Sequence, residues 1–407
     1  MRVSWRLGLV TMAMVIAAAT AGVTGASASG SPAAAKPTKS TIVLGWVGDT
    51  SSVQGSAGQD TRAAVLAWAK WINANGGVAG HPVNVIAKDV GTDPAKTEST
   101  VKDLVENQHV VAFVGNAASS TDSVYKQYLI DQNIPIVGGQ AYSSAMANDQ
   151  LLFPASPGVI TSVWMQPYAA SQANAKQLGL FWCSSNPACA GAVGLYKNFA
   201  TDVGATLVFD QKIDDTASDY TANCLAAKSA PANSIAVAAG ASQGTRIIQS
   251  CARQGYNPLY VVPASAYQDV LLKLAKAGTL KHLSVPSDTF LWFPNPGNKS
   301  STSFKNYLAA LKQYAKGTAP GPPSALGWIS GQLFAAAGKN FGDTVTNEDV
   351  LTGLYALNGE TLDGLAPQPL TYTKGKFTTV SCFFMAALKG TKLEAVDGGK
   401  PACKPAS

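Results

Sequence analysis

Charge is scarce in this 407-residue chain: Asp, Glu, Lys and Arg together make up 13% of it, and no dense Lys/Arg block occurs. A chain without such a block has little with which to meet phosphates or an anionic lipid surface, so nucleic-acid and membrane-surface binding have no support. Histidine is rarer still, with only His81, His109 and His282. Together with irregular cysteine spacings, these three give no metal-ligand pattern. There is no G-x-x-x-x-G-K-[ST] phosphate loop, and the first strand-to-helix turn lacks G-x-G-x-x-G. Neither ATP hydrolysis nor a bound nicotinamide is therefore expected, and no cofactor is called for. The carboxylates are scattered, with no pair placed to straddle a glycosidic bond.

What is present begins with a three-part leader. Arg2 and Arg6 open it, an apolar run spans Leu7 to Ala19, and Ala26-Ser27-Ala28 offers a small-residue cleavage site. Residues 1–28 thus read as a secretory signal, with an apolar run too short and Ala-rich for a membrane span. Residues 29–40, rich in Ser, Ala, Pro and Lys, read as a flexible leader. No cysteine lies near the cleavage site, so there is no lipobox cysteine. The expected location is periplasmic, extracellular or associated with the cell envelope. Removing two arginines and no acid lowers the formal charge from +6 to +4. All six cysteines lie beyond the signal: Cys183, Cys189, Cys224, Cys251, Cys382 and Cys403. An even set in an oxidising compartment favours disulfides. Six cysteines permit 15 complete pairings, and proximity in sequence suggests 183–189, 224–251 and 382–403.

Short apolar runs alternate with helix-like segments. Strands are expected at Thr41–Val47, Val83–Lys88, Val110–Val114 and Pro135–Val137, with helices near 59–74, 94–107 and 120–132 between them. A second cycle places strands at Gly179–Trp182, Thr206–Phe209, Ser234–Ala238 and Leu259–Val262, with helices near 191–203, 218–227 and 244–254. Helices near 302–314, 323–337 and 347–355 follow a return near Thr289–Phe293. The tail segments Leu370–Tyr372 and Phe377–Phe384 look strand-like. This rhythm predicts an α/β protein with parallel-sheet cores covered on both faces, long enough for two domains.

Several segments resemble one family when taken in order. They are GDTSSVQGSAG (48–58), INANGGVAGHPV (72–83), DVGTDP (89–94), VVAFVGNAASS (110–120) and NIPIVGG (133–139), then AVGLYKNFATDVGA (192–205), DDTASDY (214–220) and IIQSCARQGYNP (247–258). Together they are similar to the extracytoplasmic solute-binding proteins of ABC transporters, in the branched-chain amino-acid-binding group with a type I periplasmic-binding fold. The resemblance spans roughly residues 41–390. It implies two Rossmann-like lobes joined by three crossovers: 41–157 plus 288–366, and 158–287 plus 367–407. It also implies a monomeric receptor that closes on a small-molecule solute and hands it to an ABC permease with its ATPase subunits. A ligand sensor of the same fold, signalling to a membrane receptor, is the alternative.

Ligands of open α/β sheets bind beyond the carboxyl ends of strands, where helix N-termini present free N–H groups. Ala118, Ser119 and Ser120 follow an apolar strand, and the resemblance implies that Ser119 grips a ligand carboxylate; these serines could equally cap a helix. Gln140, Ala141 and Tyr142 follow the next strand, with Tyr142 placed to cover an apolar ligand or to pack at the domain edge. Gln54 occupies the first loop. In the second lobe the family's aromatic residue corresponds to Val193, and its acid for an α-ammonium falls near Ala264. An unpaired buried ammonium is costly, so an amino acid is weakened as ligand unless Asp269 or Asp219 substitutes. Tyr267 could supply an aromatic wall or hydroxyl. An amide, carboxylate or aromatic solute fits as well.

Gly240-Ala241-Ser242-Gln243-Gly244 matches G-x-S-x-G after an expected strand, and Asp269 and His282 follow in hydrolase order. A serine hydrolase using Ser242 is therefore the remote alternative. In the two-lobe reading, Ser242 caps a helix or touches the ligand.

Overall fold

The computed structural model describes residues 36–52, 55–118, 120–140, 146–184 and 187–405. The expected secretory signal lies outside the described residues. The end of the expected leader is docked on the fold, since the backbone N–H groups of Thr38 and Lys39 both donate to the Gly80 carbonyl at 3.0 Å.

The first layer is built from β1 (Ile42–Gly48), α1 (Ser56–Ala74), β2 (Val83–Asp89), α2 (Pro94–Glu106), β3 (Ala112–Val114), α3 (Ser123–Asp131), β4 (Ile136–Val137) and β5 (Leu152–Phe153). Its strands run in the order β2-β1-β3-β4-β5, all neighbours parallel. Helices cover both faces, so Leu44, Trp46 and Val47 are all fully buried although consecutive side chains point to opposite faces. Helix starts follow local chemistry: Asp93 accepts from the Lys96 N–H and Pro94 takes the first helical position of α2.

The second layer contains α4 (Val159–Gln172), β6 (Gln177–Cys183), α5 (Pro187–Asp202), β7 (Thr206–Ile213), α6 (Thr221–Ser229), β8 (Ser234–Ala238), α7 (Ala241–Arg253), β9 (Leu259–Val261), α8 (Val270–Lys276) and β10 (Leu283–Ser287). The chain then returns to the first layer with α9 (Thr302–Tyr314), α10 (Pro322–Ala337) and α11 (Asn347–Tyr355). It finishes in the second layer with β11 (Cys382–Lys389), β12 (Lys392–Ala395) and β13 (Ala402–Cys403). Strands β7-β6-β8-β9-β10 are parallel; β11 is antiparallel to β10 and pairs with both β12 and β13. The chain thus passes between the layers three times. α10 lies directly on α1, where a side-chain carbon on Gly331 would sit 2.2 Å from Trp68. Only glycine allows that approach.

Two tail expectations change. Leu370 joins only an isolated bridge to Glu360, and residues 377–381 are outside any strand; the regular strand begins at Cys382. Leu370 and Tyr372 are apolar because they are buried singly in the core, with the Tyr372 hydroxyl donating to the Pro154 carbonyl at 2.8 Å. Conversely, Leu283–Ser287 is a strand despite Pro286. Its parallel pairing to β9 ends at Ser284, so the missing N–H of Pro286 costs no bond on that side.

The cysteines pair as Cys183–Cys189, Cys224–Cys251 and Cys382–Cys403, with Cα separations of 5.6, 5.0 and 3.9 Å. The second joins α6 to α7 within the core, and the third joins directly opposed residues of β11 and β13.

Candidate functional site

A cavity of about 620 Å³ opens where the carboxyl ends of both sheets meet. From the first layer its wall includes Asp49, Ser52, Ser56 to Gly58, Thr92, Ala117, Ser120 and Gln140. The second layer contributes residues of α4, the Cys183–Cys189 loop, Tyr196, Ala238 to Ala241, Pro263 and Ser265. Asp288, at the second passage between layers, completes it.

Three helices bring their N-termini to this wall. The residues preceding α1, α4 and α7 are Gly55, Gly158 and Gly240, and none supplies a side-chain cap. Their first N–H groups therefore remain available to an acceptor. The β1–α1 loop is fixed by its own acids. Asp49 accepts from the N–H groups of Ser51 and Ser52 and from the Ser52 hydroxyl. Asp89 accepts from the N–H groups of Thr50 and Gly91 at 2.9 and 3.2 Å. Burial pushes the Asp89 carboxyl up, but these amides together with hydroxyl contacts prevail and hold it at about 2. At Gly58 an added side-chain carbon would fall 1.9 Å from the Asp49 carbonyl oxygen, so α1 starts hard against the loop.

The opposite polarity comes from Asp288. It is 3% exposed, and burial pushes its carboxyl up to about 7, against the smaller downward pull of its own backbone N–H. Asp49 and Asp288 are the only charged residues among the described lining residues. Ser162 and Gln166 on α4 also line the cavity; their Oγ and Oε1 atoms are buried and have no hydrogen-bond partner among the described residues.

The expected site residues distribute as follows. Ser120 and Gln140 are on the wall, and the Gln140 N–H donates to the Asn116 carbonyl at 2.9 Å. Ala118 is buried beneath it. Gln54, Ser119, Ala141 and Tyr142 lie outside the described residues. Ser242 is in the first turn of α7, its hydroxyl donating to Gln243 Oε1 at 3.0 Å, while its neighbours Gly240 and Ala241 form the wall. Tyr267 is buried off the wall, 4.7 Å from Trp292 between ring centroids, and donates to Asp269 at 3.3 Å. Asp219 is paired with Arg253 at the surface. Asp288 escaped the sequence reading: it is a lone acid in a short polar stretch, and the residues that bury it are distant in sequence.

Hydrolase geometry is not assembled. Ser242 follows the carboxyl end of β8, whereas exposed His282 immediately precedes β10, at the opposite end of a parallel sheet.

The periplasmic binding protein family profile matches residues 41–393. The chain belongs to the periplasmic binding protein family. This is a family of extracytoplasmic binding proteins rather than enzymes, and the two parallel-sheet cores joined by three passages are its type I fold. Among solved structures, the chain is similar to a Thermus thermophilus branched-chain amino acid ABC transporter protein with bound valine (TM-score 0.77, 16% identity, covering 89% of this chain and 97% of that one). It is also similar to a fatty acid ABC transporter substrate-binding protein from Thermomonospora curvata (0.74, 18%, 91% and 95%). A third is an R. palustris solute-binding protein in complex with benzoate (0.69, 14%, 89% and 98%). These likenesses are of fold, and the bound compounds are those proteins' own. No relative is found among curated protein sequences. No described helix of this periplasmic binding protein is long and apolar enough to cross a membrane.

Proposed function

We propose that this periplasmic binding protein is the solute receptor of an ABC importer, delivering one small molecule to a permease driven by ATPase subunits. The observation that supports this reading most is the cavity at the meeting of the carboxyl ends of both sheets, walled by both layers. In that reading, residues 41–157 plus 288–366 form one lobe and 158–287 plus 367–407 the other. The three passages serve as a hinge, and ligand contacts are complete only when the lobes approach, so binding shifts an open–closed population.

The wall suits a solute with an acceptor group, such as a carboxylate or amide carbonyl, directed at the uncapped N-termini of α1, α4 and α7. Ser119, Ser120, Gln140, Ala141, Tyr142 and Gln54 belong to the first-lobe loops that would surround it, and Ser242 to the facing turn. Amino acids and related amides or carboxylates are the classes to test. A monomer suffices, because both walls come from one chain.

The test starts from solute that copurifies with the mature, oxidised protein, identified by mass. Small-angle scattering with saturating solute should show a smaller radius of gyration, and host cells lacking the protein should lose uptake of that labelled solute. Unchanged scattering together with unchanged uptake would refute the importer reading.

A further inference from the structure

We propose that Asp288 is the anchor for a protonated nitrogen on the solute, so that the site takes a small cationic or zwitterionic amine. This rests on the receptor reading above and specifies its ligand class. Asp288 sits immediately after β10, where the chain leaves the second layer for the first, and it faces both the main cavity and a small recess. That recess is formed with Gln140, Ser265, Pro322, Pro323 and Leu326. The carboxyl is more than nine-tenths buried and receives no hydrogen bond from another side chain among the described residues.

No Lys, Arg or His is among the described residues of the wall. An ionised acid in such surroundings is costly unless it is paired. A ligand ammonium supplies the missing partner. Asp49 is no substitute, because its oxygens already hold the β1–α1 loop. Asp219 and Asp269 are likewise engaged, with Arg253 and Tyr267. The acid absent at Ala264 thus has its replacement on a different element, one that belongs to the hinge rather than to one wall.

Binding through Asp288 is coupled to proton release. Burial holds the empty site's carboxyl near 7, so in mildly acidic solution a cation must expel its proton. Few other titratable groups sit on the wall or on the elements packed around it. α10 and the turn at 264–266 carry none, and α4 carries only Tyr168. β9 and β11 contribute Tyr260 and Lys389, the wall adds Asp49 and Tyr196, and Asp60 and Asp269 face one another nearby.

The experiment compares wild type with Asp288→Asn, both freed of copurified solute by denaturation and refolding with disulfides intact. The amine probes are isobutylamine, valine, phenylalanine, 4-aminobutyrate, putrescine and agmatine; the non-amine probes are isovalerate, isovaleramide, benzoate and benzamide. At least one amine should bind saturably to wild type, and the variant should lose on the order of 100-fold in affinity. Calorimetry in two buffers of different ionisation enthalpy should detect close to one proton released per amine at about pH 6 and almost none at pH 8, with none from the variant. If only a non-amine binds, equally well to both proteins, the Asp288 assignment falls while the receptor reading stands. Binding of an amine undiminished by Asp288→Asn, or of no amine at all, also overturns the assignment. In the last case the mass of the copurified solute and the scattering test still judge the receptor reading separately.

Discussion

Asp288 leaves a mark on stability even before any solute is found. Its carboxyl ionises near 7 in the folded chain and near its ordinary 3.8 when unfolded. Below pH 3.8 both states hold the proton and the group is neutral in the balance. As pH rises from about 4 to 7 the unfolded chain gives up the proton and the folded chain keeps it, so stability falls; above about 7 the loss is complete. Three pKa units correspond to about 4 kcal/mol, a large share of the 5–15 kcal/mol typical of folded domains. Asp288→Asn removes the titration while keeping the shape. Urea unfolding of the solute-free protein, followed by tryptophan fluorescence from about pH 4 to pH 8, should give a wild-type-minus-variant difference that drifts by roughly this amount, the variant gaining at high pH. Asp60 and Asp149 are also raised by burial, but they are common to both proteins and cancel in the difference. A difference constant within about 1 kcal/mol across that range would refute the burial of an unpaired acid, since the slope is fixed by the proton count.

Other outcomes follow from the same geometry. Gly58→Ala should displace the first turn of α1 from Asp49, costing about 1–3 kcal/mol in stability and weakening solute binding measured by calorimetry. Replacing Cys224 and Cys251 by serine should cost more stability, about 3.5 kcal/mol from loop closure, than replacing Cys183 and Cys189, about 2 kcal/mol; the 183–189 pair should nevertheless reduce ligand affinity more, because it forms part of the cavity wall. Asp89→Asn should remove stability that wild type has above pH 4 and loses as pH falls through about 2, seen as converging acid-unfolding curves. Ser242 should stay unlabelled by a fluorophosphonate probe, because His282 lies at the opposite end of the parallel sheet; stoichiometric labelling would revive the hydrolase alternative.

The alternation of short apolar strands with amphipathic helices was readable because both layers are parallel sheets covered on two faces. Runs such as Ile42–Gly48 and Ser234–Ala238 are uniformly apolar for that reason. Adjacent cysteines were a sound guide to pairing because each pair spans neighbouring elements. Strand β10 was not among the expected strands; it accommodates Pro286 because its ladder to β9 stops at Ser284. The wall loops around Ser120 and Gln140 were legible as strand ends. Asp288 was not, since its neutral surroundings come from Pro322, Pro323 and Leu326, more than thirty positions onward. Burial of a single acid is a property of tertiary packing and leaves no local pattern.

The three disulfides are also sequential: each closes before the next cysteine pair begins, with separations of 6, 27 and 21 residues. A chain emerging N-terminus first into an oxidising compartment meets each cysteine's partner next, never a later one. First-come oxidation and native connectivity therefore coincide. Production of this protein should consequently depend on an oxidant more than on a disulfide-reshuffling catalyst.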